Sequence, residues 1–294
     1  MVSIKSIIKT VIYLLKPAYA ILFRAMPLKL LLYLAGMDFG KDLNHPLRHK
    51  ILFLLLGGSV HLDLLKKVLK KRYCKMTLSE RRICNEIFWQ SGSSMQWAQR
   101  AFNDPQRRCN HSSFNLMVTL YKRVGRPVSV LELGCTNGGT LSCLQLRGVK
   151  VSKYCGVDIS GDNINKAKLR FEKHNNAEFV KKDFIEYLNS TNDFFDILFV
   201  RWTFFYLDQE YLEELIHIIS RKGIAKRILV FETHSTSHYS KQSVLFSACG
   251  VPLEYSHNYP SIFNKQNYRI ENNSSREVKK GISIFEAVLI HSLG

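Results

Sequence analysis

The chain lacks most of the signatures that assign a class at a glance. None of its seven cysteines (residues 74, 84, 109, 135, 143, 155 and 249) forms a C-x-x-C pair, so neither a zinc site nor a thioredoxin-like redox pair is encoded. Their odd number and irregular spacing give no disulfide framework, and reduced thiols in a cytoplasmic protein are expected. No uncharged run approaches the roughly 18–20 apolar residues that cross a bilayer; the longest, ILFLLLGGSV at 51–60, is about half that. A G-x-G-x-x-G loop is absent too, which argues against a dinucleotide pyrophosphate on a helix N-terminus. His45 with His49, and Glu232 with His234 and His238, only approximate ligand spacing. No metal site is expected from them.

Acidic residues are scarce in one place only. Residues 1–127 hold 22 Lys and Arg against 6 Asp and Glu, a net of +16, whereas residues 128–294 hold 20 against 18, a net of +2. That asymmetry divides the 294 residues into a basic front and a near-neutral back, and directs an anionic membrane surface or a nucleic acid to the front. Lys5, Lys9 and Lys16 fall within about 40° of one another on a helical wheel, with Ile4, Ile7, Ile8, Val11, Leu14 and Leu15 over much of the remainder. Pro17 stops or kinks this helix. HLDLLKKVLKKRYCK at 61–75 repeats the pattern, with Leu62, Leu65, Val68 and Leu69 beside Lys66, Lys67, Lys70 and Lys71. Three readings stand: helices lying in a membrane interface, helices packing on the following domain with lysines in water, or a cleaved leader. The lysines and Arg24 running through residues 5–29 weigh against the leader. Residues 76–127 read as two or three further helices.

From residue 128 the pattern alternates. Short β-branched or aromatic runs at 128–134, 153–159, 177–183, 194–202 and 226–233 are separated by helical stretches, and ISIFEAVLI at 282–290 closes the chain with no helix after it. Alternation of this kind predicts an α/β fold, an open, mostly parallel sheet with helices on both faces. Its ligands sit beyond the carboxyl ends of the strands, at the topological switch point. The expected organisation is a helical extension over 1–127 and an α/β domain over 128–294.

The first of these strands runs into VLELGCTNGGTL, residues 130–141. Gly134 follows the strand directly, and Gly138 and Gly139 open the next helix, where missing Cβ atoms permit close backbone approach and positive φ. Glu132 sits two residues ahead of the first glycine. A carboxylate there repels pyrophosphate and suits a cationic ammonium. Asp158 ends the second strand, 26 residues further on, placed to accept from ribose hydroxyls. Asp183 ends the third and is placed to accept from an adenine amino group. An ammonium, a ribose and an adenine together make S-adenosylmethionine (SAM).

These motifs, in this order, resemble a class I SAM-dependent methyltransferase over residues 128–290. ELGCTNG is similar to that family's glycine-rich first motif, which puts Glu132, Gly134, Cys135, Thr136 and Gly138 at the cofactor. GVDIS resembles the second, with Asp158 for the ribose and Ile159 against the adenine; KKDF resembles the third, with Asp183 and Phe184 near the base. FDILFVRWTFFYL resembles the fourth, with Arg201 near the methionine part. The resemblance implies a Rossmann-like seven-stranded sheet whose last strand is antiparallel. Thr136 departs from it, standing where the family usually has glycine.

The fourth motif also bears on the methyl acceptor. It lacks the (Asp/Asn)-Pro-Pro-(Tyr/Phe) signature of methylation on nucleobase amino groups, and the chain has no Pro-Cys nucleophile for pyrimidine C5 chemistry. Trp202, Phe204, Phe205 and Tyr206 instead suit an apolar or ring-bearing acceptor, with about half of them expected in the core. His234, in ETHSTSH after the fifth strand, is the candidate general base, which helps when the acceptor is a hydroxyl; Tyr206 is the second catalytic candidate. The expectation is a cytoplasmic methyltransferase whose basic front attaches it to the inner face of a membrane or covers its active site, acting on a small molecule, a lipid or a lipid-linked glycan. The alternatives are an RNA methyltransferase with a phosphate-binding front and a non-catalytic binding protein of the same fold.

Overall fold

The structure, a computed structural model, describes residues 77, 109, 112–235, 244–245, 255–279 and 282–291. The lysine-faced helices expected near the amino terminus and at 61–75 lie outside the described residues. The chain divides into two compact units, Met1–Ser94 and Met95–Gly294, and the fold below belongs to the second.

Among its described elements helix α1 (Ser112–Val124) comes first, and β1 (Val128–Leu133), α2 (Gly139–Leu146), β2 (Val151–Asp158), α3 (Gly161–Arg170) and β3 (Ala177–Lys181) follow. Then come α4 (Phe184–Ser190), β4 (Phe195–Arg201), α5 (Gln209–Lys222) and β5 (Ala225–Ser235). A two-residue pair, β6 (Val244–Leu245) and β7 (Tyr255–Ser256), precedes α6 (Tyr259–Lys265), β8 (Tyr268–Lys279) and β9 (Ile282–His291). The main sheet has seven strands in the order β3-β2-β1-β4-β5-β9-β8. β1 to β5 are mutually parallel, and β9 runs antiparallel to both neighbours. The expected seven-stranded sheet with an antiparallel last strand is therefore found.

Alternate residues of each strand feed opposite layers. On β4, Leu198 and Val200 enter one core with Leu212, Leu215, Ile216 and Ile219 of α5 and with Phe263 of α6. Ile197 and Phe199 enter the other with α1, α2 and α3. Strands buried on both faces read as continuous apolar runs, which is why the central strands are legible. The spacing of Leu212, Leu215, Ile216 and Ile219 puts them on one stripe of α5. Asp208 caps its start, accepting from the Tyr211 amide at 2.9 Å, and Gly223 ends it at φ 60.

Two expectations need correction. The compact unit begins upstream of residue 128, because α1 is part of it: Phe114, Met117 and Leu120 are buried in the second core, and Phe114 packs 5.9 Å from Phe199, centroid to centroid. Arg126 then fastens the approach to β1, its guanidinium reaching the Asp196 carboxylate at 2.6 and 3.1 Å. Reduced thiols were expected throughout, yet Cys109 and Cys143 form a disulfide, 34 residues apart. The docking of α1 beside α2 makes the pair, a juxtaposition that spacing alone does not reveal.

Candidate functional site

The chain leaves β1 for β2 and β3 on one side, then crosses to β4 and β5 on the other. The crevice at the carboxyl ends of β1 and β4 is therefore the switch point where ligands of open α/β sheets bind. The glycine-rich turn, Asp158, Arg201 and the residues after β4 all stand at this end of the sheet.

The turn after β1 is shaped by contacts that tolerate no side chain at its glycines. Gly134 has φ 78, and a Cβ there would lie 2.2 Å from Thr203 Oγ1, on the segment leaving β4. Gly138, also at φ 78, donates to the Cys135 carbonyl at 3.0 Å and abuts the ring of Phe171. Between them Cys135 is fully buried, its thiol turned into the core against Gly156. Thr136 sits at φ 48, and its amide donates to Asp158 Oδ2 at 2.9 Å. Asn137 is buried with no partner for its Oδ1.

Asp158 is 7% exposed, and Ser160 donates to its Oδ1 at 2.8 Å. Burial pushes this carboxyl up to about 6, although the two amides pull it down. Each oxygen accepts one amide and so retains room for a further donor. Ile159 is half-buried beside it. In the first turn of α3, Asn163 is buried with neither carboxamide atom partnered.

Glu132 plays a part its position in the sequence does not announce. Its carboxylate is buried and accepts from Thr140 Oγ1 at 2.6 Å and from the Tyr154 hydroxyl. It thereby fastens the first turn of α2 and the middle of β2 to β1. Asp183 is likewise engaged: it caps α4, accepting from Ile185 and Glu186 amides at 2.9 and 3.2 Å, and receives the Tyr211 hydroxyl at 2.7 Å. Phe184 packs against the core behind it.

On the β4 side, the Arg201 guanidinium lies 5.1 Å from the Phe114 ring centroid and 5.4 Å from that of Trp202, at cation–π range. Trp202 has φ 53 and is 37% exposed. Phe204 and Phe205 are buried, as expected for about half of these aromatics, while Tyr206 is half-buried with its ring 4.0 Å from that of Phe205. His234 was expected after the fifth strand; β5 instead runs on to Ser235 and pairs His234 with Ser283. The strand is longer than its apolar run because β9 gives it a partner to the end.

Glu232 stands out in the sequence only as a poor metal ligand. It is fully buried near the end of β5 and accepts from the backbone amides of Thr203, Phe204 and Phe205 at 2.8, 3.0 and 3.4 Å. Burial pushes its carboxyl up to about 8 against the pull of those amides. His257 was missed as well. Its Nε2–H donates to the Leu207 carbonyl at 2.9 Å, and burial lowers its pKa to about 4. An acid inside the run VFET was the available signal for Glu232; His257 had none.

Among the described residues there is no group of three His, Cys, Asp or Glu able to hold a metal, and no helix long and apolar enough to cross a membrane.

In fold, and over part of its sequence, the chain is similar to methyltransferases. Residues 130–223 match the family described as "Methyltransferase domain". A Mycobacterium tuberculosis protein named "Putative methyltransferase" is 43% identical over 54 residues, which are 18% of this chain and 32% of that one. The chain thus spans about a third of this curated relative. Among solved structures, the magnesium protoporphyrin IX methyltransferase of Synechocystis, determined with bound SAM, aligns at TM-score 0.52 and 14% identity over 73% of this chain and 98% of its own. The 1,6-didemethyltoxoflavin N1-methyltransferase of Burkholderia thailandensis, with its substrate and S-adenosylhomocysteine bound, aligns at 0.54 and 13% over 74% and 91%. These likenesses are likenesses of fold.

Proposed function

We propose that this chain binds SAM in the crevice between β1 and β4 and transfers its methyl group to a small-molecule, lipid or lipid-linked glycan acceptor. The single observation that carries the reading is Asp158 at the end of β2, closed over by the Thr136 amide yet keeping acceptor capacity on both oxygens. The residues fit the cofactor. Asp158 would take the ribose hydroxyls, Ile159 and Phe184 would line the adenine, and Asp183 Oδ2 keeps room for an adenine amino donor beside the Tyr211 hydroxyl. The turn through Gly134, Cys135, Thr136 and Gly138 would present backbone to it. Asn137 Oδ1, in the turn, and the carboxamide of Asn163, in the first turn of α3, are buried without partners and would gain them from a ligand there. Glu132 would act through its charge and by holding the turn, Arg201 by bordering the methionine end.

When bound, SAM supplies a methyl group activated by its sulfonium. The protein's part is then proximity and orientation. Trp202 and Tyr206 would border the acceptor, with His234 or Tyr206 as the candidate for taking its proton. The two fold relatives act on small molecules by their names, magnesium protoporphyrin IX and 1,6-didemethyltoxoflavin, which supports a ring-bearing acceptor here.

The basic front supports a cytoplasmic protein peripheral on an anionic membrane. The same +16 over residues 1–127 favours the second reading, an RNA methyltransferase. Flotation of the full chain with anionic vesicles, beside a variant with Lys66, Lys67, Lys70 and Lys71 all changed to Gln, separates them. Loss of flotation in the variant is the expected result; undiminished flotation with steeply salt-dependent RNA binding would move the assignment to RNA. A chain whose melting temperature SAM does not raise would be a binding protein of this fold, since a ligand at about 100 times its Kd adds roughly 2.7 kcal/mol.

A further inference from the structure

Glu232 is an acid buried in a strand with no role in the reading above. Its neighbours indicate one. The chain must turn sharply where β4 ends: Trp202 is at φ 53, and residues Phe204–Tyr206 form a single 3-10 turn. Such a turn leaves consecutive backbone N–H groups without partners inside the segment. Glu232 meets three of them in a row, Oε1 accepting from Thr203 and Phe204 and Oε2 from Phe205. One carboxylate therefore sets the conformation of the whole exit from β4.

That exit touches the glycine-rich turn. The Thr203 side chain occupies the space a Cβ on Gly134 would need, its Oγ1, Cγ2 and Cβ lying 2.2, 2.8 and 3.1 Å from that position. Gly134 itself is pinned from the other side, its amide donating to the Val157 carbonyl at 2.8 Å. Displacing Thr203 thus removes the contact that holds Gly134 from the β4 side. Two residues earlier the same exit carries Arg201, and one residue earlier Trp202, exposed at the carboxyl end of β4.

We propose that Glu232 is a positioning residue for this site: by gathering the amides of residues 203–205 it seats Thr203 against Gly134 and so sets the cofactor turn and the Trp202 wall together. It touches neither cofactor nor acceptor and acts through Thr203 and the 3-10 turn. The inference rests on the assignment of the crevice to SAM.

The test compares wild type with Glu232→Gln and Thr203→Ala, all full length and in a background where Trp89 and Trp97 are changed to Phe, which leaves Trp202 as the single tryptophan. SAM affinity is read by calorimetry, Trp202 accessibility by acrylamide quenching. The Gln side chain keeps one acceptor oxygen but turns an NH2 group toward a backbone donor. At pH 9, where the Glu232 carboxyl, pushed up to about 8 by burial, is ionised, the variant is expected to bind SAM about tenfold more weakly, the scale of one lost hydrogen bond to a charged group, with increased quenching of Trp202. Thr203→Ala retains the three amide bonds and loses the contact with Gly134; weaker SAM binding with little change in quenching is expected. A role in stability alone would lower the melting temperature of Glu232→Gln and leave both readouts of the folded protein as in wild type, which would overturn the proposal. Should Glu232→Gln fail to fold, wild-type affinity in Thr203→Ala would overturn it on its own. If wild type binds no SAM, it is the cofactor assignment that fails.

Discussion

Thr203 fills the space that the missing side chain of Gly134 leaves open, so the segments after β4 and after β1 are in direct contact at the mouth of the sheet. Gly134→Ala would place a methyl group 2.2 Å from Thr203 Oγ1 on a backbone at φ 78. Left-handed strain and overpacking together are expected to cost about 2–4 kcal/mol. Adding Thr203→Ala should recover the overpacking share and leave the strain, a coupling of about 1 kcal/mol or more in a double-mutant cycle by denaturant unfolding. Strict additivity would show that the two residues do not meet.

Thr136 is the position that departs from the family pattern, and its φ of 48 explains why glycine is usual there. Thr136→Gly relieves strain but loosens the unfolded chain, and these oppose each other. Stability is expected to stay within about 1 kcal/mol of wild type, with SAM affinity retained. Thr136→Pro cannot adopt a positive φ and lacks the amide that reaches Asp158. Loss of SAM binding is expected in calorimetric titration, and retained binding would show that this amide has no part in the site.

Asp158, pushed up to about 6 by burial, should make SAM binding depend on pH. The ionised form accepts hydroxyl donors on both oxygens, while the protonated form gives up one of its acceptor positions to its own proton. Affinity should therefore be level above about pH 7, turn near 6 and fall below it. Asp158→Asn should flatten that profile at a weaker affinity. A wild-type profile unchanged between pH 5 and 8 would separate this carboxyl from the ligand.

The Cys109–Cys143 disulfide joins the residues ahead of α1 to the helix that carries the glycine turn. A crosslink closing a loop of this size contributes on the order of 2–4 kcal/mol. Treatment with dithiothreitol, or Cys109→Ser with Cys143→Ser, should lower the melting temperature by several degrees. Identical melting with and without reductant would show that the bond does not form in solution.

Most of the strands legible in the sequence are buried on both faces; β3, an edge strand with only Phe179 buried, is the exception. β1, β2, β4 and β5 announce themselves as apolar runs, and the turn at Gly134 as a break in the first of them. β8 does not, because YRIENNSSREVK is polar along most of its length and is a strand through its pairing with β9. Helix α4 is too short to show a period, and α6 too is only seven residues long. The site divides similarly. Asp158 and Gly134 stand at strand ends where their chemistry can be read from position. Glu132 and Asp183 stand out in the sequence as acids near strand ends, yet their partners, Tyr154 and Tyr211, come from elements that only the fold brings near. Glu232 acts on a segment 27–29 residues earlier, a relation no local pattern encodes.

The central claim is that Asp158 anchors SAM in this crevice. Calorimetric titration of SAM into the full chain and into Asp158→Ala tests it most directly. Wild type is expected to bind with one site per chain, and the variant to bind at least about tenfold more weakly, the scale of hydrogen bonds lost to a charged acceptor. Equal affinity in the two proteins, or no binding to wild type, would contradict the account.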